Sequence, residues 1–355
     1  MAVADRYAFR TAVIGFGLGG AVFHAPLVAS TPGLHLASIV TSNTERRAKA
    51  EREYPGVGVL HGAERLWELA EEHDLVVITT PNRSHVPLAL AALDAGMAVV
   101  VDKPFAPTSA EARHVMEVAA ERGLLLSVFQ NRRWDGDFLT VRRLLAEDAL
   151  GPVTRFESRF ERWRPELDRS GWRERGEPEE AGGLLFDLGS HLVDQAIQLF
   201  GRPTGVYAEI ERRRPGAEAD DDAFIALTHP GGVRSHLWAS HVAARTGPRF
   251  RVLGTRGGFE KHGMDVQEEA LIAGARPGDP GWGQEPAGRW GTLSADGQVR
   301  TVETEPGAYE RFYEGIVASL REGAPLPVDP NDAIAVLEVL ETARASAGTG
   351  AVVRL

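Results

Sequence analysis

A lysine in the first half of the chain and an aspartate–histidine pair in the second half are well suited to acid–base chemistry. Lys103 follows an apolar run directly and precedes Pro104, so its ammonium could hydrogen-bond a substrate oxygen. Asp187 and His191 are four residues apart, and both would lie on one face of a helix that begins near Asp187. A carboxylate beside an imidazole fixes the ring tautomer and raises its basicity. Taken alone, a lysine at this position is more often an exposed loop residue, and an Asp-x-x-x-His pair is more often a surface pair than a catalytic one.

A glycine-rich turn near the start of the chain predicts a dinucleotide site. Gly15, Gly17 and Gly20 fit G-x-G-x-x-G between an apolar strand, Thr11–Ile14, and a helix-like stretch, Ala21–Ser30. The first glycine permits the sharp turn, the second lets the backbone approach a pyrophosphate, and the third lets the helix pack on the strand. The free N–H groups of the helix then face the phosphates, so we expect NAD(P) as the cofactor.

The apolar runs between residues 11 and 128 predict a doubly wound parallel sheet. Ligands of such sheets lie outside the carboxyl ends of the strands, which places two loops beside the cofactor. Strands are predicted at Thr11–Ile14, Leu34–Val40, Leu75–Thr80, Ala98–Val101 and Leu124–Phe129. The loop residues predicted to border the cofactor are Thr80, Pro81, Asn82, His85, Asp102, Lys103 and Pro104. A Pro-Asn turn that only caps a helix remains the alternative for the first loop.

The residues after the second predicted strand favour NADP over NAD. NAD-specific folds of this kind place an acidic residue there to bind the ribose 2′-hydroxyl. This chain has Thr41 and Ser42, with Arg46 and Arg47 just beyond. Hydroxyls and guanidinium groups suit a 2′-phosphate, because arginine binds phosphate through two parallel hydrogen bonds. A helix cap followed by solvated arginines is the alternative.

From Gln130 onward the pattern changes to long alternating segments, which predict a mainly antiparallel sheet with one open face. An irregular loop is predicted over residues 274–290. The predicted domains are therefore a dinucleotide-binding domain at residues 1–128 and a substrate-binding and oligomerisation domain at residues 129–355, α/β overall. Predicted strands are Val153–Arg162, Gly205–Glu211, Ala223–Thr228, Val233–His241 and Phe250–Gly254, and predicted helices are Phe138–Glu147, Tyr309–Leu320 and Asp332–Ala347.

Composition limits the function further. The net charge of −11 over 355 residues argues against a nucleic-acid or anionic-membrane surface. The absence of cysteine excludes disulfides, thiolate metal sites and a cysteine nucleophile, and the 11 histidines show no metal-ligand spacing. No run reaches the ~18 apolar residues of a membrane span. We expect a soluble cytoplasmic protein with no metal, no nucleic-acid partner and no membrane partner.

Four motifs in this order resemble the glucose–fructose oxidoreductase/inositol dehydrogenase/MocA family of NAD(P)-dependent oxidoreductases. They are the glycine turn, Thr80-Pro81-Asn82-x-x-His85, Asp102-Lys103-Pro104 and Gly183-x-x-x-Asp187-x-x-x-His191. The family's usual Glu-Lys-Pro appears here as Asp102-Lys103-Pro104, which shortens the carboxylate and keeps its charge. Several stretches further resemble the NADP-dependent scyllo-inositol dehydrogenase branch, namely 131–135, 172–174, 187–194 and Trp282-Gly283.

The resemblance implies a Rossmann domain, a second domain that makes dimers or tetramers, and a catalytic group of Lys103, Asp187 and His191. Polyhydroxylated rings suit tryptophan and arginine, which offer a flat apolar face and fixed donors. The expected cofactor-binding residues are Gly15, Gly17, Leu18, Gly20, Thr41, Ser42, Arg46, Arg47, Thr80, Pro81, Asn82, His85, Asp102, Lys103, Pro104 and Asn131. The expected substrate-binding residues are Lys103, Arg132, Arg133, Trp134, Trp172, Arg173, Asp187 and His191.

These residues suggest a mechanism for an inositol-like polyol or sugar. His191 takes the hydroxyl proton as the hydride leaves carbon, Lys103 stabilises the same oxygen, and Asp187 orients His191. One alternative is a reductase for another sugar or dihydrodiol, or an NAD-assisted glycosidase. The other is a regulator that binds the cofactor without catalysis, as some members of the family do.

Overall fold

The computed structural model describes residues 8–168, 174, 176–177 and 180–355. Packing groups the chain into two compact units, each formed from separate stretches of sequence. The first unit holds the described residues up to Asn131, with Gln267–Trp282 and Ala308–Ala333. The second unit holds the described residues of 132–266, with Gly283–Gly307 and Ile334–Leu355. The predicted domain boundary is a single cut between residues 128 and 129, whereas each compact unit combines several stretches of the chain. The boundary stays a prediction.

The helices of the described chain fall at or near most of the predicted positions, with several short ones in addition. Helix α5 shows how their ends are set: Thr108 accepts a hydrogen bond from the Glu111 N–H, and Gly123 ends the helix at a φ of +64°. The bounds are Ala25–Ser30 (α1), Thr44–Glu53 (α2), Ala63–Glu68 (α3), His85–Asp94 (α4), Ser109–Arg122 (α5), Gly136–Ala146 (α6), Leu184–Asp187 (α7), Gly189–Phe200 (α8), Gln267–Ile272 (α9), Glu310–Glu322 (α10) and Pro330–Thr349 (α11).

The strands of the first unit form a parallel sheet. Their bounds are Phe9–Ile14 (β1), Leu34–Val40 (β2), Gly58–Leu60 (β3), Leu75–Ile78 (β4), Ala98–Asp102 (β5) and Leu126–Phe129 (β6). Among described residues the six strands lie in the order β3-β2-β1-β4-β5-β6. All residues of β4 are buried, as expected for a parallel sheet covered on both faces. This order is that of a doubly wound dinucleotide-binding sheet, which confirms the predicted fold of this region.

The strands of the second unit form a mixed, mostly antiparallel sheet. Their bounds are Val153–Glu161 (β7), Gly205–Glu211 (β8), Asp222–Thr228 (β9), Arg234–Ser240 (β10), Phe250–Gly254 (β11), Gly257–Lys261 (β12), Gly291–Ala295 (β13), Gln298–Val302 (β14) and Val353–Arg354 (β15). Within the described chain their order is β14-β13-β12-β11-β7-β10-β9-β8-β15. Only β7 and β10 run parallel among these pairs. The α/β fold class, with a large and mainly antiparallel second sheet, is confirmed.

Each face of the second sheet has its own character. Along β9, Ala223, Ile225 and Leu227 are buried, whereas alternate residues are half-exposed. Helix α8 packs against β7 and β10. The period-two pattern read from the sequence is therefore present in the structure. In the described part of the chain, every helix is too short or too polar to span a membrane.

Candidate functional site

Three strands of the first unit end together and start the loops that carry the candidate residues. Ile14 of β1 pairs with Ile78 of β4, and Ile78 pairs with Val101 of β5. Because parallel strands in register finish at one edge, the next residues begin adjacent loops. Gly15 and Thr79 directly follow β1 and β4, and Asp102 is the last residue of β5.

The glycines of the turn serve different steric needs. Gly15 has a φ of +99°, and a Cβ there would lie 2.6 Å from the Thr79 carbonyl oxygen. A Cβ on Gly20 would overlap the Gly15 carbonyl oxygen. Around Gly17, by contrast, the nearest atom to a Cβ is Arg46 Nη1 at 3.6 Å. The fold itself requires Gly15 and Gly20, whereas Gly17 leaves open the backbone that a pyrophosphate would approach.

The helix after this turn differs from the prediction. Residues Gly19–His24 form a π-helical turn, and α1 begins only at Ala25. The Ala25 N–H donates to the Gly20 carbonyl five residues earlier. Pro26 has no N–H to continue an ordinary helical ladder, which accounts for a break at this point. The helix-like stretch predicted over Ala21–Ser30 is helical throughout, and the structure divides it into the π-helical turn and α1.

The two arginines near the end of β2 have different surroundings. Asn43 caps α2 by accepting a 2.9 Å hydrogen bond from the Arg46 N–H. The Arg46 guanidinium lies against Gly17, where it could reach a phosphate group. Arg47 instead donates to Glu51 Oε1 at 3.0 Å on the exposed face of the helix. Of the two, Arg46 is better placed for a cofactor phosphate.

The other predicted cofactor residues differ in exposure. Leu18, within the glycine turn, is 54% exposed. Ser42 is exposed and Thr80 and Pro81 are half-buried, whereas Thr41, Asn82 and Asn131 are buried. Exposed members of this set can contact a ligand directly. Buried members can do so only where the sheet edge at the ends of β1, β4 and β5 is open to solvent.

The Asp102-Lys103-Pro104 segment is held firmly by its neighbours. Asp102 Oδ1 accepts a 2.8 Å hydrogen bond from the Lys103 N–H, and the Lys103–Pro104 peptide is cis. His85 places Nδ1 at 2.9 Å from the Pro104 carbonyl oxygen and Nε2 at 2.9 Å from the Thr80 carbonyl oxygen. His85 thus links the loops that follow β4 and β5. Burial lowers the pKa of His85, against the opposing influence of Asp102 and the carbonyls.

In the second unit, the Asp187 and His191 pair spans two helices rather than one. Helix α7 begins at Leu184 and ends at Asp187, and α8 begins at Gly189. His191 is 4% exposed and packs edge-on to Phe160, with ring centroids 6.2 Å apart. The expectation of one helix beginning near Asp187 is wrong, because the helical path starts earlier and is interrupted at Leu188.

Asp220 explains where α7 begins. Its Oδ2 accepts a 2.7 Å hydrogen bond from the Leu185 N–H, and its carbonyl oxygen accepts one from the Leu184 N–H at 2.9 Å. Gly183, with a φ of +90°, lies so close that a Cβ would overlap the Asp220 carboxylate. Burial, partly offset by the Leu185 hydrogen bond and Arg344, raises the pKa of Asp220 to about 6. Sequence reasoning missed Asp220, since it lies 33 residues beyond Asp187.

The predicted substrate residues of the second unit lie among buried charges. Arg133 forms a two-pronged ion pair with Asp194, at 2.9 and 2.6 Å. Arg132 Nη1 lies 3.4 Å from Asp135 Oδ2, and its guanidinium lies 5.0 Å from the centre of the Phe160 ring. Trp134 is half-buried. Trp172 and Arg173 lie outside the described residues, so their substrate contacts stay predictions.

His241 is a polar residue near Asp187 that sequence reasoning treated only as part of a strand. Burial foremost, followed by Arg214, Arg164 and Arg162, lowers the pKa of His241 to about 4, and Asp187 opposes this shift. A neutral imidazole can both donate and accept a hydrogen bond, which suits a hydroxylated ligand. Among the described residues, no group of three or more His, Asp or Glu side chains is arranged to hold a metal ion.

The strand-end glycine turn, Arg46 beside Gly17 and the loop that carries Lys103 define a dinucleotide-binding oxidoreductase fold. Comparison with known proteins gives the family. The description "Oxidoreductase family, NAD-binding Rossmann fold" matches residues 9–130, and "Oxidoreductase family, C-terminal alpha/beta domain" matches residues 142–355. The chain belongs to the glucose–fructose oxidoreductase/inositol dehydrogenase/MocA family of NAD(P)-dependent oxidoreductases, as its motifs indicated.

Individual relatives cover almost the whole chain. The oxidoreductase YdgJ of Escherichia coli is 43% identical over 94% of this chain and 94% of its own. Scyllo-inositol 2-dehydrogenase (NADP(+)) IolW of Bacillus subtilis is 36% identical over 95% of this chain and 93% of its own. The solved structure of the YPO2259 oxidoreductase from Yersinia pestis is 40% identical and superposes with a TM-score of 0.92, covering 100% of this chain and 99% of that chain.

Proposed function

We propose that this enzyme prefers NADP and moves a hydride between the nicotinamide and a secondary alcohol or ketone of an inositol-like polyol or sugar. The observation that carries the proposal is the 36% identity, over 95% of the chain, to an NADP-dependent scyllo-inositol dehydrogenase. Lys103, Asp187 and His191 are all present in this chain. Retention of all three favours an enzyme over a regulator without catalysis.

The strand-end edge fits a dinucleotide. It is formed, where β1, β4 and β5 end, by residues 15–20, 79–82 and 102–104. Gly17 leaves room against its backbone, and Gly15 and Gly20 hold the turn in shape. Arg46 lies beside Gly17 and would bind a 2′-phosphate, while the N–H groups of the turn would face the pyrophosphate. When bound, the cofactor supplies or accepts the hydride. NAD remains the alternative cofactor.

The chain's own side chains would manage the proton and the oxygen charge. In oxidation, His191 takes the hydroxyl proton while Lys103 donates a hydrogen bond to the same oxygen and stabilises its developing negative charge. Asp187 orients His191 or accepts from a neighbouring hydroxyl. In reduction, the proton moves the other way. Lys103 belongs to the first unit and His191 to the second, so their convergence on one substrate is part of this proposal.

Substrate recognition would rest on rigid donors and a flat apolar surface. Arg132 and Trp134 lie on one short helical turn with Asn131, and Arg133 is fixed by Asp194. Trp172 and Arg173 complete the predicted substrate wall. Such a set suits a ring with several hydroxyl groups.

The deciding experiment follows nicotinamide absorbance with purified protein, NADP or NAD, and a panel of scyllo-inositol, myo-inositol, aldoses and a dihydrodiol. We expect turnover of an inositol with NADP, and slower turnover with NAD. Turnover of an aldose or dihydrodiol alone would replace the substrate class and keep the reaction. Cofactor binding without turnover of any compound in either direction would favour the regulator instead.

The open face of the second sheet is where we propose that a second copy of the chain binds. Phe224 of β9 lies 5.1 Å from Trp238 of β10 and 6.5 Å from Tyr207 of β8, ring centre to ring centre, and Arg159 stacks on Trp238 at 3.9 Å. Half-exposed aromatic rings and an arginine are typical of interface centres. Light scattering should give a dimer or tetramer, and Phe224→Asp should give a monomer. A monomeric wild type would exclude this interface.

A further inference from the structure

His24 is a fully buried histidine that none of the predicted roles explains. It ends the π-helical turn that begins at Gly19, and its side chain is 0% exposed. Its ring lies 4.3 Å from that of Phe129, centre to centre. Burying an imidazole is unfavourable unless its nitrogens find polar partners, so those partners indicate what the ring does.

Both ring nitrogens of His24 face polar groups of the first unit. Nδ1 lies 2.6 Å from the Tyr313 hydroxyl oxygen of α10, and Nε2 lies 3.6 Å from Asp102 Oδ2. Burial foremost, with the charge of Asp102, raises the pKa of Tyr313 well above its usual value. The hydroxyl therefore keeps its proton and can donate a hydrogen bond to Nδ1. Such a bond would select the tautomer in which Nε2 carries hydrogen and faces the Asp102 carboxylate.

Asp102 connects this chain of groups to Lys103. Its Oδ1 accepts from the Lys103 N–H at 2.8 Å, and its Oδ2 accepts from Thr79 Oγ1 at 3.3 Å. Oδ2 also lies against Gly19, where a Cβ would come within 2.8 Å of it. The carboxylate is thus fixed on one side by the lysine backbone and on the other by the glycine turn.

We propose that Tyr313, His24 and Asp102 form a positioning chain that orients Lys103 for its action on the substrate oxygen. Tyr313 sets the His24 tautomer, His24 keeps Asp102 ionised and aimed, and Asp102 holds the backbone of Lys103. The Nε2–Oδ2 separation of 3.6 Å is longer than a hydrogen bond, and we expect it to shorten in the complex with cofactor and substrate. The assignment rests on the proposed function.

The electrostatics at Asp102 provide a readout that simple packing would not change. Burial acts to raise the pKa of Asp102, and His24, Lys103 and His85 together lower it to about 2. The groups that face this carboxylate are His24 from the π-helical turn, Lys103 and His85 from the adjoining loops, and Tyr313 from α10. Without His24, burial should prevail and Asp102 should take up a proton at a higher pH.

The test begins with cofactor-free protein, so that it does not depend on activity. With ¹⁵N-labelled histidine, the signal that disappears in His24→Gln identifies His24. In the wild type at pH 7.5 this signal should be that of a neutral ring protonated at Nε2. Tyr313→Phe should change the chemical shifts of this signal. With ¹³C-labelled aspartate, the Asp102 carboxyl should titrate at least about one pH unit higher in His24→Leu than in the wild type. An Nδ1-protonated His24, or an Asp102 titration that His24→Leu does not move, would overturn the proposal.

Kinetics with the best substrate of the panel completes the test. We expect His24→Leu to lower kcat about tenfold to a hundredfold with little change in the NADPH dissociation constant, and to raise the acid limb of the pH profile. His24→Gln should recover part of the rate, because its amide N–H can face Asp102. Phe312→Leu is the control, since Phe312 packs on the same aromatic rings, Phe129 and Tyr313, and carries no polar group.

The outcomes separate the two proposals. If Phe312→Leu and His24→Leu lower the melting temperature and kcat alike, with the acid limb unmoved, the cluster is only aromatic packing. If the wild type turns over no compound, the proposed function fails, while the ¹⁵N and ¹³C titrations still decide whether the chain of groups exists.

Discussion

The turn that follows β1 in the first unit and the α7–α8 segment of the second unit are held in place by different means. At the strand-end edge, Gly15 and Gly20 are set by steric fit, since a Cβ on either would meet backbone oxygen. In α7–α8, buried charged groups do this work: Asp220 holds the start of α7, and Arg133 is bound to Asp194 of α8.

This difference determines what substitutions should do. Changes at the glycines of the strand-end edge act through steric fit and should alter cofactor binding or stability with little dependence on pH. Changes in the α7–α8 segment act through ionisation of buried groups, so their effects should vary with pH. A variant that behaved in the opposite way would show that the two regions are not held as the contacts indicate.

The largest effect should come from Lys103, which tests whether the strand-end edge carries chemistry as well as cofactor. We expect Lys103→Ala to lower kcat by about a thousandfold or more, because a donor to the reacting oxygen is lost. The NADPH dissociation constant should change by no more than about threefold, since the backbone that forms the edge is kept. Stopped-flow and fluorescence titration measure the two quantities. Lys49→Ala, on the exposed face of α2, is the matched control, and unchanged turnover in Lys103→Ala would remove the mechanism.

The next largest effect should come from a substitution at Gly17. This substitution separates cofactor affinity from the stability of the fold. Gly17→Ala meets no atom closer than 3.6 Å, so the protein should fold with an almost unchanged melting temperature. Its affinity for NADPH should fall about tenfold to a hundredfold, because the methyl group occupies the space of the pyrophosphate. Gly20→Ala should instead lose stability, since its Cβ overlaps the Gly15 carbonyl oxygen. Calorimetry and fluorescence titration separate these results, and tight NADPH binding by Gly17→Ala would place the pyrophosphate elsewhere.

Local sequence patterns predicted the parallel sheet and its loops well. Each predicted strand from Thr11–Ile14 to Leu124–Phe129 overlaps an observed strand, because buried parallel strands are continuous apolar runs. The π-helical turn was missed, since only the missing N–H of Pro26 marks it. His24 was missed too, because its partners Asp102 and Tyr313 lie 78 and 289 residues away.

The second unit was harder to predict in detail. Strands β12, β13 and β14 were missed, since glycine and exposed polar residues obscure their alternation. Asp220 acts on α7 through a contact between distant parts of the chain, which a period-two or helical pattern does not record. The sequence therefore indicated which residues to consider, and only the fold shows which charges hold them.

A smaller effect should distinguish the two arginines of the strand-end edge. We expect Arg46→Ala to reduce the preference for NADPH over NADH about tenfold, because a phosphate loses a charged partner close to Gly17. Arg47→Ala should change it less than about twofold, since Arg47 pairs with Glu51 on the helix surface. The measured quantity is the ratio of kcat/KM for the two cofactors. Equal effects of both substitutions would mean that the 2′-phosphate is bound by general positive charge rather than by Arg46.

The smallest effect is a shift of a few degrees in the melting temperature. It tests whether the ionisation of Asp220 affects the stability of the α7–α8 segment. Folding raises the pKa of Asp220 from 3.8 to about 6, so the unfolded chain releases this proton more readily. The resulting stabilisation is complete below pH 3.8 and is lost as the pH rises through about 6. Asp220→Asn keeps an oxygen for the Leu185 N–H but cannot ionise.

Between pH 5 and 7.5, the melting temperature of the wild type should therefore fall by about 3 °C more than that of Asp220→Asn. Asp296→Asn, in the exposed turn between β13 and β14, is the control and should follow the wild type. Parallel pH dependences in wild type and Asp220→Asn would mean that Asp220 titrates normally. The start of α7 would then be held by the backbone contact between Leu184 and Asp220 rather than by a buried carboxyl group.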